Sequence, residues 1–215
     1  MDSFATCPEA GPTSFDALSL QLEAHGYVVI PEGLPQTVAD ELLRYIDNVD
    51  VSDFHRAGIG RGADEHTNRF VRRDSIHWLH EGSTELAGWR SFTDSLRRQL
   101  NRQLFLGLFS FESHLARYSP GDFYKKHYDA FRGEANRIVS LVCYLNADWT
   151  PGDGGELRLY ADDMTVTVPP VFRSLVLFLS EEMLHEVLPA NRERWSVTGW
   201  FRLNQSRLDR VDPPR

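Results

Sequence analysis

His127 and Asp129 flank Tyr128 in the segment Lys125-Lys126-His127-Tyr128-Asp129, and a further histidine, His185, opens a later strand-like run. Alternate residues of an extended segment share a face, so His127 and Asp129 point the same way. Two imidazoles and one carboxylate occupy one face of an octahedral ion and leave the opposite face open, the arrangement associated with non-haem iron(II) oxygenases. The same ligands serve zinc hydrolases, so the residues alone leave both metals open. His-x-Asp by itself is a weak signal, and an isolated histidine is usually a satisfied or solvated side chain. Arg194 strengthens it. This arginine lies nine positions past His185, at the head of the aromatic run Trp195 to Phe201. Its planar fork suits a carboxylate and keeps its charge at every accessible pH. An arginine pointing into a β-structure near two histidines needs an anion, and a dicarboxylate co-substrate supplies one. The plain alternative is a surface arginine paired with Glu193 or Glu186.

These side chains need strands to carry them, and the second half of the chain reads as strands. The runs Phe111–Tyr118, Arg137–Leu145, Glu156–Tyr160, Met164–Val168, Ser174–Ser180, His185–Leu188 and Trp195–Leu203 are separated by turn signals such as Ser119-Pro120-Gly121, Pro169-Pro170 and Pro189-Ala190-Asn191. Short strands at this spacing suggest a sandwich or barrel. The first half predicts a helix from Phe15 that stops at Gly26, a strand Tyr27–Ile30, a second helix opened by Pro35, and a short strand Ile76–Leu79. A long helix follows, capped by Ser83 or Thr84 and turning Leu86, Trp89, Phe92, Leu96, Leu100 and Leu104 to a core. The fold class expected is mainly β with flanking helices, a cupin-like double-stranded β-helix (jelly roll) supported by the N-terminal helices.

Residues 1–13 read as a flexible tail, 14–204 as one domain (helical support about 14–108, jelly roll about 109–204), and 205–215 as a C-terminal tail. Residues 51–69 are Gly-rich, charged and without period, which predicts a functional loop, a lid over a bound peptide. The net charge of −8 argues against a nucleic-acid binder, and no apolar run is long enough for a membrane helix. The first residues lack a basic n-region and an apolar h-region, and the two cysteines, Cys7 and Cys143, are placed too differently for a structural disulfide. A cytoplasmic location is the expectation. Cys143 reads as a small buried hydrophobe. His55, His66, His77 and His80 read as surface, and Gly152-Asp153-Gly154-Gly155 as a hairpin turn, since no helix follows to cradle a phosphate.

The stretch from Tyr118 to Phe201 resembles the prolyl hydroxylases that act on hypoxia-inducible factor and their bacterial relatives, within the wider 2-oxoglutarate oxygenases. The pieces that carry the resemblance are Tyr118-Ser119-Pro120-Gly121, the metal pair with its preceding Tyr124, and Tyr144-Leu145-Asn146 with Asp148-Trp149. Gly154-Gly155-Glu156-Leu157-Arg158, His185-Glu186-Val187-Leu188-Pro189-Ala190, and Arg194 through Thr198 to Trp200 complete them. Upstream, Val71 to Trp78 resembles the family's substrate-side strand, which puts Arg72 and Asp74 among the substrate-binding residues.

The resemblance implies that His127, Asp129 and His185 hold Fe(II) and that Arg194 bridges the distal carboxylate of 2-oxoglutarate, with the Tyr144 hydroxyl as a second donor and Thr198 nearby. Tyr118 would approach the chelating end of that co-substrate, Val142, Leu157 and Val187 would form apolar walls, and Arg137 and Trp200 would face a peptide. Oxygen is then the other co-substrate, ascorbate a reductant, and the partner a protein or peptide carrying a target proline. Bacterial relatives act on a switch-loop proline of translation elongation factor Tu, which makes that factor a candidate. Alternatives are a same-scaffold oxygenase for a free amino acid or small molecule, a non-catalytic dicarboxylate-binding cupin-like module, and a zinc hydrolase. Presence of all three ligands and the arginine disfavours the binding module. Arg61, Arg69, Arg72 and Arg73 suit a peptide or an acidic metabolite, or equally a solvated loop face. Residues 51–69 have their own composition here, so the resemblance does not carry substrate identity across, and no zinc-finger cysteines precede the domain.

Overall fold

Between Arg137 and Tyr144, Val139, Leu141 and Cys143 turn to one side and Val142 and Tyr144 to the other, and the two sides feed two separate apolar clusters. The computed structural model describes residues 15–58, 70–80, 82–130, 136–161 and 164–204. Among them are helices α1 (Phe15–His25), α2 (Gln36–Asn48) and α3 (Ala87–Leu104), and strands β1 (Tyr27–Ile30), β2 (His55–Arg56), β3 (Ser75–Leu79) and β4 (Ser110–Tyr118). The remaining strands are β5 (Tyr124–His127), β6 (Arg137–Tyr144), β7 (Leu157–Ala161), β8 (Met164–Val168), β9 (Leu175–Leu179), β10 (Leu184–Val187) and β11 (Arg194–Arg202). They build a seven-stranded sheet, β1-β9-β6-β11-β4-β3-β2, and a four-stranded sheet, β5-β10-β7-β8. From β5 onward the chain passes back and forth between the sheets, which is the double-sheet jelly roll the strand spacing predicts.

The outer face of the large sheet is covered by the helices. Leu18 and Leu22 of α1, Val38 and Leu42 of α2, and Trp89, Leu96 and Leu100 of α3 pack there on Leu115, Val139, Leu141, Cys143, Leu177, Val197 and Phe201. Its inner face meets the small sheet through Ala116, Tyr118, Val142, Tyr144, Val176 and Phe178 against Leu157, Leu159, Val168 and Val187. Burial pushes the Cys143 thiol up, as suits a side chain that serves as packing.

Three local expectations need correction. Neither Ser83 nor Thr84 caps the long helix: Thr84–Leu86 forms a separate 3-10 turn, and Ser83 makes no side-chain cap. The free amides of α3 at Gly88 and Trp89 instead donate to Glu41 of α2, at 2.9 and 2.8 Å. A carboxylate satisfies two orphan donors and complements the helix dipole together. The segment 51–69 is not wholly aperiodic, because Val51–Asp53 forms a 3-10 turn and His55–Arg56 pairs with Ser75 and Ile76. Its residues 59–69, on which the lid expectation falls, lie outside the described residues. Finally, Gly152–Gly155 does not close a hairpin. It joins β6 of one sheet to β7 of the other through a 3-10 turn, with Thr150 and Asp153 forming a capping box.

Candidate active site

Strand β5 ends at His127, and Asp129 follows in a bend just beyond it, so the pair is placed by the strand end rather than by strand alternation. β10 lies beside β5 with His185 opposite His127. Asp129 Oδ1 stands 3.6 Å from His127 Nε2 and 3.7 Å from His185 Nε2. One ligand atom from each of the three residues lies within 4.8 Å of the others. Both imidazoles use Nδ1 on a backbone carbonyl, of Lys125 at 2.7 Å and of Met183 at 3.0 Å. A carbonyl only accepts, so Nδ1 carries the proton and each Nε2 presents a lone pair to the common centre. Burial lowers His185 to about 4, with His127 acting the same way and Asp129 opposing. Burial alone would raise Asp129, but His185, His127 and the Ser140 hydroxyl outweigh it and hold the carboxyl well below the usual range. Two imidazoles that turn Nε2 to the centre and an ionised carboxylate beside them are the donor set of an iron(II) site, and the residues fit the ion.

Arg194 is 1% exposed, one of the most deeply buried large side chains. Its Nε donates to the Gly155 carbonyl at 2.9 Å and Nη1 to Ser196 Oγ at 3.2 Å, and no carboxylate pairs with it among the described residues. A buried guanidinium without a counter-ion is costly, and an anion bound beside it removes that cost. The guanidinium carbon lies 4.8 Å from the Tyr118 ring centroid and 5.1 Å from that of Tyr144. The Tyr144 hydroxyl is buried without a hydrogen-bond partner. Burial pushes it up to about 12 against the pull of Arg194, so it remains a donor. Tyr118 is also raised by burial, although Arg194 and Arg72 oppose this. Val142, Leu157 and Val187 lie in the same inner cluster as both tyrosines, and Leu157 and Val187 face each other across the β7–β10 ladder. Half-buried Thr198 is cross-strand from Val142 and from His114. A charged fork, an orphaned hydroxyl and apolar walls together suit one end of a dicarboxylate.

Arg137 and Trp200 come together on the same inner face. The guanidinium carbon of Arg137 sits 3.5 Å from the Trp200 ring centroid, and Glu112 Oε1 accepts from its Nε and Nη2 at 2.9 and 2.7 Å. Glu112 and His114, two polar residues of β4, join this group without any signal in the sequence. The His114 ring packs 5.2 Å from Trp78 and 5.3 Å from Trp200, and its Nδ1 has no partner. Burial, aided by Arg72 and Arg137, drives its pKa well down. Arg72 and Asp74, expected at the substrate side, are engaged with each other: Nε and Nη2 of Arg72 donate to the two Asp74 oxygens at 2.8 and 2.6 Å. The Arg72 guanidinium lies over the Tyr124 ring at 4.2 Å, and that ring stacks on His127 at 3.5 Å. Ser140 also joins the site and donates to Asp129 Oδ2 at 2.6 Å. Its signal was a small polar residue within an otherwise apolar strand.

A jelly roll with this donor set and a buried arginine defines the class. Residues 113–202 match the 2OG-Fe(II) oxygenase superfamily, and the chain belongs to it. Its fold superposes on a Pseudomonas putida prolyl-4-hydroxylase with a TM-score of 0.80 at 39% identity, covering 88% of this chain and 99% of that one. A Trichoplax adhaerens prolyl hydroxylase, solved with a peptide fragment of the hypoxia-inducible factor oxygen degradation domain, gives a TM-score of 0.76 at 29% identity, over 86% and 87% of the two chains. Human Egl nine homolog 1 is 29% identical over 86% of this chain. The chain spans 47% of that protein's length and 22% of the Caenorhabditis elegans hypoxia-inducible factor prolyl hydroxylase, which is 28% identical over 69% of this chain.

Proposed function

We propose that this protein is an Fe(II)- and 2-oxoglutarate-dependent peptidyl-prolyl 4-hydroxylase acting on a protein. The observation that carries the reading is the buried Arg194, without a carboxylate partner among the described residues, beside the unpaired Tyr144 hydroxyl, in a jelly roll whose small sheet carries both histidines of the metal-ready triad. The prolyl assignment is supported by likeness to the Pseudomonas putida prolyl-4-hydroxylase. Overall, 2-oxoglutarate becomes succinate and CO₂, one atom of O₂ enters succinate and the other enters a substrate C–H bond. Iron, when bound, supplies the activation of O₂ that no side chain here can supply.

The chain's residues bind and orient. His127, Asp129 and His185 hold the ion, and Arg194 anchors the distal carboxylate, with Tyr144 donating and Thr198 alongside. Tyr118 attends the chelating end. Val142, Leu157 and Val187 keep water out, which strengthens each charge contact inside. Arg137, fixed by Glu112, and Trp200 receive the peptide. Arg72 and Asp74 act from behind, through Tyr124. Ascorbate serves as the reductant that keeps iron ferrous, and the protein works in the cytoplasm. No helix among the described residues is long and apolar enough to cross a membrane. Elongation factor Tu is the partner proposed first.

The test is mass spectrometry of elongation factor Tu, of a proline-peptide library and of free amino acids, each after incubation with Fe(II), 2-oxoglutarate and O₂. A gain of one oxygen atom on a proline, absent without 2-oxoglutarate, is expected. Oxygen gained only by free amino acids would replace the protein substrate with a small molecule.

A further inference from the structure

The two oxygens of the Asp129 carboxylate are treated differently. Oδ1 faces both histidines, at 3.6 Å from His127 Nε2 and 3.7 Å from His185 Nε2. Oδ2 accepts from Ser140 Oγ at 2.6 Å, and Ser140 Oγ lies 2.9 Å from Ser180 Oγ. Both serines have 0% exposure, so no solvent competes for these hydroxyls. A carboxylate that ligates a cation is ionised and only accepts. Ser140 must therefore give its one hydroxyl proton to Asp129, and Ser180 must donate to Ser140. The chain of hydroxyls has a fixed direction.

Its origin in the fold is equally defined. Asp129 lies past the end of β5, outside any sheet ladder, so the backbone pairing that holds the two histidines does not hold it. Ser140 sits in the middle of β6, between Phe178 of β9 and Trp200 of β11. Ser180 follows β9 directly, its amide tied to the Ile138 carbonyl at 3.0 Å. One hydroxyl thus comes from an interior strand of the large sheet and the other from just past its neighbour, and together they reach the one ligand that lacks ladder support.

We propose that Ser140, backed by Ser180, is a positioning residue that makes Asp129 a one-oxygen metal ligand. By occupying Oδ2 it leaves Oδ1 alone to meet the ion. A carboxylate free to chelate would take a further coordination position, one that a co-substrate or O₂ needs. The inference rests on the reading of the triad as an iron site and adds to it how the site stays open. Partners that orient ligands in this way typically alter metal affinity by about 10–100-fold when removed.

The experiment uses the full chain and Co(II), whose ligand-field spectrum reports coordination number, in place of iron. Ser140→Ala is expected to bind Co(II) about tenfold more weakly or worse and to shift the spectrum towards a different coordination number, with thermal stability lowered far less than by loss of the core. Ser140→Thr keeps a hydroxyl and is expected to restore both affinity and spectrum. Ser180→Ala, which leaves the direct bond to Asp129 in place, should give a smaller change in the same direction. Wild-type affinity and spectrum in Ser140→Ala would overturn the proposal while leaving the triad intact. Wild-type protein that takes up no Co(II) would instead overturn the triad reading, and the proposal with it.

Discussion

At the scale of single residues, Arg194 combines a full charge, near-total burial and the lack of a carboxylate partner among the described residues. Hydrogen bonds to a charged group are worth about 1.5–3 kcal/mol, which corresponds to roughly tenfold or more in affinity. Arg194→Ala is therefore expected to raise the 2-oxoglutarate concentration needed for half-maximal turnover by at least about tenfold, with metal uptake kept. Arg194→Lys should rescue only part, because an ammonium is a point charge rather than a fork. Titrating 2-oxoglutarate against each variant checks this, and equal affinity in wild type and Arg194→Ala would remove the anchor. The grouping of His127, Asp129 and His185 was legible in the sequence from their places on strand-like runs and from the family resemblance, and Arg194 was singled out by its place past His185. Ser140, Ser180, His114 and Glu112 were not. A serine or glutamate inside a strand carries no mark of which cross-strand neighbour it meets, and that neighbour is set by the register.

Elements position these side chains, and two of their devices are testable. Glu41 caps α3 from another helix, a contact between residues 47 and 48 positions apart that no local capping rule would find. Most strand and helix positions were legible from period and turn residues, the exceptions being the short strands β2 and β5 and the 3-10 turns. The cap was misread because Ser83 is a common capping type, yet a 3-10 turn intervenes between it and α3. Glu41→Ala is expected to lower stability by about 1 kcal/mol, the usual value of a cap, without changing the 2-oxoglutarate requirement. Chemical denaturation and a turnover assay together check it. The second device is Gly155. It has φ +68°, and a Cβ there would lie 3.0 Å from Arg194 Cδ and 3.1 Å from Ala190 Cβ. Its carbonyl also receives Arg194 Nε. Gly155→Ala is expected to cost about 1 kcal/mol or more in backbone strain and to weaken 2-oxoglutarate binding as well, because the clash falls on the anchor. Loss of stability with unchanged 2-oxoglutarate affinity would detach Gly155 from the site.

For the whole molecule, the large sheet separates two kinds of interior. Its outer face and the helices make one apolar core, whereas the second cluster, between its inner face and the small sheet, contains Tyr118 and Tyr144, which flank Arg194. Leu100 of α3, 0% exposed in the outer core, tests this division. Leu100→Ala is expected to lower stability by about 2–5 kcal/mol yet leave metal and 2-oxoglutarate affinities unchanged at temperatures where it stays folded. If His127, Asp129 and His185 hold iron for 2-oxoglutarate turnover, succinate formation in wild type and Asp129→Ala, each with Fe(II) or with Zn(II), must show it. Succinate from wild type with Fe(II) alone, falling to background in Asp129→Ala, is the predicted result; undiminished succinate from Asp129→Ala would contradict it.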